Sequence, residues 1–463
     1  IPPNLPNLVA ESENFCRHNA EAIKATILPH RCEWLVGGAL LEAIFVQTKA
    51  NENNYLKLPR QTNPVSQRPC VVRLKKGRTV LFLMHDAVPL KLHALNGGTQ
   101  SVIEVAAALH KYTELEVKIA ILNAAMPVFK DCYPEAFSLR LFLGYDDFSV
   151  FTKQNKGRYG AIVATYFVTL WMLKQLAVPG NKLVYFVQDY EPWFTLRREQ
   201  QRAAQLSYIT MHKHVEIVSY SSWIRNQLFE KHGVGSFHVD THADTILTPL
   251  HADEARVCNA QSTVCLSKQG SRRSFFHVGI MVRPHTPRRG WEKSIEFLNQ
   301  ITTDIRSGVK YHIFGCTLEV YKILVVPKLA RVRNIPSAFI HHGVLNRTGM
   351  KRVLQQLHTF VDISLWQAFG FTAFEGMAYG VVPIIPVASG LASYGVFDGK
   401  SGIVIEPGGG TGAYVNAVTT LLQNASILKE MSNAAVEQFN AFGPRRTAAS
   451  WRNILFCGIP PSH

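Results

Sequence analysis

From residue 79 onward the chain alternates short apolar runs with amphipathic stretches of helical spacing, and few folds accept that rhythm. TVLFLMH (from residue 79) reads as a buried strand, and QSVIEVAAALHK as a helix with Val102, Ala106 and Leu109 on one face. Between them a loop is expected through Asn96, Gly97, Gly98 and Thr99. VKIAIL (117–122), GAIVAT (160–165), LVYFVQ (183–188) and EIVSY (216–220) read as further strands, and SSWIRNQLFEKHG as a helix ending at Gly233. The rhythm lapses over 246–272 and resumes with SFFHVGIMV (274–282), WEKSIEFLNQI, VKYHIFG, FIHHG, a helix near 348–357, SGIVIEP and AYVNAVTTLLQN. Strands that alternate with helices form parallel sheets covered on both faces. The expected fold is therefore α/β: two doubly wound, Rossmann-like domains facing a cleft, over 76–245 and 273–442, joined by 246–272. Residues 1–75, rich in Pro and Asn clusters, are expected to form a mostly helical extension, and 443–463 a helix returning to the first domain.

In the second series, "FGFTAFEGMAYGVVPIIPV" (369–387) stands out. DISLW (362–366) before it reads as a strand, Phe371 to Tyr379 as a helix, Gly380 as its stop and VVPIIP as the next strand. In such sheets ligands bind beyond the carboxyl ends of strands, beside helix N-termini, and Glu375 falls there. The same letters fit a capping box, with Thr372 as cap and Glu375 reaching back to it.

RPHTPRRG (283–290) follows a strand and opens a helix, so Arg283, Arg288 and Arg289 are carried to one strand end, where guanidinium suits phosphate oxygens. A solvated basic loop is the alternative. Gly97 and Gly98 hold the equivalent place in the first domain, as an approach for a ligand backbone contact or as an ordinary turn. Asp189 and Glu191, in QDYEP, end another strand with two carboxylates that suit a hydroxyl-rich ligand or form a solvated acidic loop. Asp240 and Asp244 lack a D-x-D companion, and the glycine that a P-loop ending at Lys400 and Ser401 would require is Tyr394. Neither a metal nor a P-loop is expected.

Composition narrows the partners. A formal charge of +16 calls for an anionic one. Nucleic acid rests on charge alone, because no helix-turn-helix, zinc finger or RNA-binding aromatic signature is present. Eight scattered cysteines form no C-x-x-C pair and read as core thiols. No apolar run reaches membrane-spanning length, and IPPNLPN does not read as a signal peptide. The expectation is a cytoplasmic protein, peripheral at the inner face of the membrane.

The order of a glycine-pair loop, an arginine loop ending at Gly290, Gly343, and "GFTAFEGMAYGVVPI" resembles the family 4 retaining glycosyltransferases of the GT-B fold. "AIVATYFVTLWML", "YFVQDYEPWF", "RPHTPRRGWEKSIEFL" and "FEGMAYGVVPI" are more narrowly similar to bacterial rhamnosyltransferases of surface-glycan assembly, over roughly residues 76–456. The resemblance implies a nucleotide-diphosphate sugar as donor, with dTDP-rhamnose as the specific expectation, a glycan or lipid-linked glycan as acceptor, and no cofactor. It assigns Arg283 and Arg289 to the diphosphate, with Arg288 as the competing match because the loop is one residue longer than usual. Glu375 would bind the ribose, and Gly370, Phe371 and Thr372 would present backbone amides. Gly315, Gly343 and Gln367 would complete the donor side, and Gly97, Gly98, Thr99, Asp189 and Glu191 the acceptor side. One departure stands out: the family's first glutamate is here Gln367. A catalytically silent sugar-nucleotide or glycan-binding protein is the rival reading.

Overall fold

The computed structural model describes residues 79–86, 97–123, 140–142, 145–193, 198–242, 275–305, 308–329, 338–393 and 395–456. The expected N-terminal extension and the connection 246–272 lie outside them.

Two parallel sheets organise the described chain. The first runs in the order β3-β2-β1-β4-β5-β6-β7, from β1 (Thr79–Asp86), β2 (Glu116–Asn123), β3 (Arg140–Phe142), β4 (Ala161–Ala164), β5 (Lys182–Val187), β6 (Glu216–Ser219) and β7 (Phe237–His238). The second runs β10-β9-β8-β11-β12-β13, from β8 (Phe276–Met281), β9 (Val309–Phe314), β10 (Phe339–His341), β11 (Thr359–Val361), β12 (Val382–Pro386) and β13 (Ile403–Ile405). Strands such as β4 and β12 are buried throughout, which is why they read as continuous apolar runs rather than alternating ones. In each sheet the order reverses beside the first strand, between β1 and β4 and between β8 and β11. Connections leave such a point in opposite directions and open a crevice at the strand ends.

Helix α1 (Gly97–Tyr112) begins three residues earlier than the sequence suggests, so Gly97, Gly98 and Thr99 form its first turn rather than a loop before it. Helix α2 (Ser222–His232) is capped by the Ser221 hydroxyl and stopped by Gly233 at φ 65°. The last helix among the described residues is α8 (Pro444–Phe456).

In the second domain α3 (Trp291–Asp304) follows β8, α4 (Arg347–Leu354) precedes β11, and α5 (Phe371–Met377) lies between β11 and β12. Helices α6 (Gly410–Gln423), α7 (Ala425–Ala441) and α8 complete the chain. Helix α8 packs against α1, where buried Trp451 meets Phe82 at 5.8 Å and Phe186 at 4.8 Å between ring centroids. Arg446 pairs with Asp240 at 3.2 Å, and Thr447 Oγ1 lies 3.0 Å from His242 Nδ1. The DTHAD segment thus ties down α8; Asp244 lies outside the described residues.

The strand expected over DISLW is a correction. The strand is the preceding Thr359–Val361, and the chain bends away at Asp362, whose Oδ1 accepts the Ser364 N–H at 3.0 Å. Such a side-chain-to-backbone bond two residues on makes a turn. Of the eight cysteines only Cys316 is described; it is buried and free, and burial pushes its thiol up to about 11.

The interior of the second domain holds a chain of imidazoles that no local pattern announces. His277 Nδ1 lies 2.7 Å from His312 Nε2, His312 Nδ1 lies 2.9 Å from His342 Nε2, and the His277 backbone N–H donates to His358 Nδ1 at 3.0 Å, with the His277 and His358 rings stacked 5.7 Å apart. Burial, then His277, His342, His358 and Lys310, hold His312 down to about 3. The unfolded chain takes up a proton near pH 6.5 that the folded chain refuses, so stability is full above pH 6.5 and falls as pH drops toward 3. Thermal unfolding midpoints are expected to fall between pH 7.5 and pH 5, and His312→Leu is expected to flatten that fall. An equal fall in the variant would move the acid sensitivity elsewhere.

Candidate functional site

The loop between β8 and α3 and the loop between β11 and α5 meet where the second sheet's order reverses. Their backbones are joined: the Leu365 N–H donates to the Arg288 carbonyl at 2.7 Å. Gly290, the α3 cap at φ 60°, allows this, since a Cβ there would lie 2.3 Å from the Ile363 carbonyl oxygen. Gly315, at φ 106°, leaves room for the Arg283 stem, whose Cγ would lie 3.0 Å from a Cβ at that position. Its N–H donates to the Gly343 carbonyl at 2.9 Å, which joins the ends of β9 and β10.

Three guanidinium groups converge here. Burial pushes Arg289 down to about 10, against the opposing field of Asp362, and Arg288 and Arg283 push in the same direction as burial. Arg283 is lowered by burial and then by Arg288. Among the described residues neither Arg283 nor Arg289 has a carboxylate at ion-pair distance, and Arg289 Nε is buried with no hydrogen-bond partner. Arg288 instead reaches the first domain, its Nη1 3.1 Å from Asp189 Oδ2. Of the two candidates for the loop's inner cation, Arg289 is the one that faces inward. Half-buried cations with no carboxylate at ion-pair distance among the described residues are costly, and the fields of Asp362 and Asp189 offset only part of that cost at Arg289, so this arrangement is built for an anion.

Helix α5 does not start with a capping box. Its cap is Gly370, at φ 113°, so Thr372 is the second helical residue and Glu375 the fifth, out of reach of the cap N–H. A Cβ at Gly370 would lie 3.1 Å from Ser389 Oγ. Glu375 is half-buried and faces α1, where Gln100 Nε2 donates to its Oε1 at 3.4 Å. Phe371 lies close to Gly97, whose added Cβ would be 3.3 Å from the ring. Gly97 is thus brought against the start of α5.

The two domains touch around this crevice. Tyr220 meets Phe369 at 5.6 Å and Phe371 at 6.1 Å, and Trp193 meets Trp366 at 4.6 Å between centroids. Asp189 is buried, which pushes its carboxyl up against the lowering effect of Arg288, the Tyr190 N–H and Arg289. Glu191 is a correction to the acceptor-side set. Its Oε2 accepts from Tyr185 Oη at 2.6 Å and from the Phe167 N–H at 2.9 Å, inside the first domain. Burial pushes that carboxyl up to about 8. A side chain so committed fixes the 3-10 turn around Phe167 and does not line the crevice.

Sequence reasoning passed over three residues of the site. Asp362 and Ser364 sit where a strand was expected, and both bond the side chain of Gln367. His85, the last residue but one of β1, lies beside the Tyr166 ring, 6.0 Å away, and burial holds it down to about 4. A polar residue directly after the apolar run TVLFLM is the signal that could have found His85.

Two Rossmann-like domains closed over a crevice at both switch points define the GT-B glycosyltransferase fold. Residues 277–438, within the second domain, match the family described as "Glycosyl transferases group 1". Among solved structures the chain is similar to Anabaena HepE in complex with UDP and glucose, at 14% identity, 81% of this chain, 99% of that one and a TM-score of 0.61. It is also similar to the sucrose-phosphate synthase of Thermosynechococcus elongatus, at 15% identity, 81% and 98% coverage and a TM-score of 0.56. A Rickettsia africae glycosyltransferase gives 15% identity, 84% and 100% coverage and a TM-score of 0.60. No curated protein matches the sequence.

Proposed function

We propose that this protein is a retaining glycosyltransferase that binds a nucleotide-diphosphate sugar on its second domain and an acceptor on its first. The observation that carries the reading is the pair Arg283 and Arg289, half-buried at the switch point of the domain that matches the group 1 glycosyltransferase family, with no carboxylate at ion-pair distance among the described residues. A diphosphate supplies the missing charge. The backbone amides of Phe371 and Thr372, in the first turn of α5, have no carbonyl partner within that helix. Glu375 would take the ribose hydroxyls. In the reaction the acceptor hydroxyl oxygen bonds to the anomeric carbon on the face from which the diphosphate departs, and its proton passes to the departing phosphate oxygen. Arg283 and Arg289 hold the charge that grows there, the part a metal plays in other transferases. Rhamnose is the sugar that the sequence resemblance implies, and a net charge of +16 supports a glycan acceptor carried on an anionic lipid surface.

A thermal-shift screen of nucleotide sugars, UDP-glucose and dTDP-rhamnose included, tests the donor class, because binding to the folded state raises the midpoint by mass action. A flat screen would overturn it. Donor hydrolysis or transfer, set against binding alone, separates an enzyme from the catalytically silent binder that Gln367 suggests.

Glu375→Gln tests the ribose role. The amide keeps one acceptor and turns a donor toward the second hydroxyl, so nucleotide affinity is expected to fall about tenfold with the unfolding midpoint unaltered. Unchanged affinity would remove Glu375 from the donor site.

A further inference from the structure

Position 367 carries an amide where the resemblance led to a carboxylate, and its surroundings account for that. The Gln367 backbone is pinned on both sides: its N–H donates to Ala388 O and its carbonyl accepts from the Gly390 N–H, each at 2.9 Å. Its side chain is buried, with Nε2 donating to Asp362 Oδ2 and, at 3.1 Å, to Ser364 Oγ. Asp362 is itself only 7% exposed, held by its N–H to Ile384 O at 2.9 Å and by the Ser364 N–H at its Oδ1.

A carboxylate can only accept, so it dictates which way the amide faces. Both Gln367 amide hydrogens are committed inward, and the group it has left for a ligand is its carbonyl oxygen. That is the acceptor a glutamate would offer, without the charge. The charge stands at Asp362, whose field opposes the lowering of Arg289.

We infer that Asp362 is a positioning residue of the donor site, which orients the Gln367 amide and places beside Arg289 the negative charge that the resemblance would put at 367. This rests on the donor-site reading above. Gln367 is then the residue type that Asp362 demands, since a glutamate would set two carboxylates in hydrogen-bond contact, and such a pair cannot hold both charges. A donor-sugar hydroxyl facing position 367 must donate rather than accept.

Three variants decide the matter: Asp362→Asn, Gln367→Glu and the double Asp362→Asn/Gln367→Glu. Each is measured for UDP-glucose and dTDP-rhamnose affinity and for unfolding midpoint, at pH 7.5 and pH 5.5. Gln367→Glu is expected to lose about tenfold in nucleotide affinity and to melt lower at pH 7.5, with both effects shrinking at pH 5.5 as the pair takes up one proton. Asp362→Asn is expected to lose about tenfold at both pH values, because a residue that both donates and accepts no longer dictates which way the Gln367 amide faces, and the charge beside Arg289 is gone. The double variant exchanges carboxylate and amide, and should recover most of the affinity lost by either single change.

A Gln367→Glu variant that binds more tightly at pH 7.5, or a double variant no better than the worse single one, would overturn the inference. If the unaltered protein binds neither nucleotide, the donor-site reading falls. The midpoints still judge Asp362: a Gln367→Glu midpoint with the same pH dependence as the unaltered protein shows that the two side chains share no charge.

Discussion

Arg289→Ala is expected to weaken nucleoside-diphosphate binding about ten- to a hundredfold, and Arg283→Ala about as much, since a charge-assisted hydrogen bond contributes roughly 1.5 to 3 kcal/mol. The sign of the stability change makes the test specific. Both guanidiniums are lowered by burial and by Arg288, Arg289 by Arg283 as well, and among the described residues neither has a carboxylate at ion-pair distance. Removing one relieves that cost in the empty protein, so the unfolding midpoint should hold or rise while affinity falls. Arg288→Ala should behave in the opposite way, because it leaves Asp189 buried without its partner across the crevice. Calorimetric titration with UDP and dTDP, beside melting curves without nucleotide, reads both quantities. Unchanged affinity in Arg283→Ala and Arg289→Ala would remove the diphosphate from this loop. A drop in midpoint equal to that of Arg288→Ala would make all three arginines structural.

The fold class was legible because buried parallel strands must be apolar on both faces and their helices must stop, and both facts leave marks within a few residues. Gly233, Gly290, Gly343, Gly370 and Gly380 all have positive φ at the end of an element or beside one. That three arginines stand at one strand end was legible for the same reason. What each of them faces was not, because Asp189 and Asp362 arrive from other strands. Local patterns misled where a tertiary contact decided the outcome. Thr372 and Glu375 have capping-box spacing, yet Gly370 takes the cap because Ser389 and Leu391 crowd the place of a Cβ there. Glu191 follows Asp189 by two residues, but the Tyr185 hydroxyl and Phe167 amide draw it inward. The alternation in DISLW mimics a strand, and the turn at Asp362 ends it. The imidazole chain from His358 through His277 and His312 to His342 depends on which strands are neighbours in the sheet, information that no window of sequence contains.

Gly290→Ala is expected to be one of the costliest single-methyl changes in the second domain's crevice, beside Gly390→Ala, whose Cβ would stand 2.0 Å from the Ala368 carbonyl oxygen. Two penalties add at Gly290. The residue sits at φ 60°, where a side chain costs roughly 1 to 2 kcal/mol. Its Cβ would stand 2.3 Å from the Ile363 carbonyl oxygen, and since backbone cannot rotate aside as a side chain can, relief requires about 1 to 3 kcal/mol of displacement. Gly399 separates the two penalties, because it has φ 71° with open space around it. Gly399→Ala should therefore show the conformational cost alone, a fall of a few degrees at roughly 2 to 4 °C per kcal/mol for a domain of this size, and Gly290→Ala about twice that or more. The displacement has a direction. Ile363 lies between Asp362 and Ser364, and the Arg288 carbonyl is bonded to the Leu365 N–H, so pushing the Ile363 carbonyl moves the arginine loop and the Asp362–Gln367 pair relative to each other. Nucleotide affinity in Gly290→Ala should then fall even at temperatures where the variant is fully folded, and in Gly399→Ala it should not. Equal midpoints for the two variants would show that the loops yield freely to the added methyl group, and the crevice would not be the rigid junction that these contacts describe.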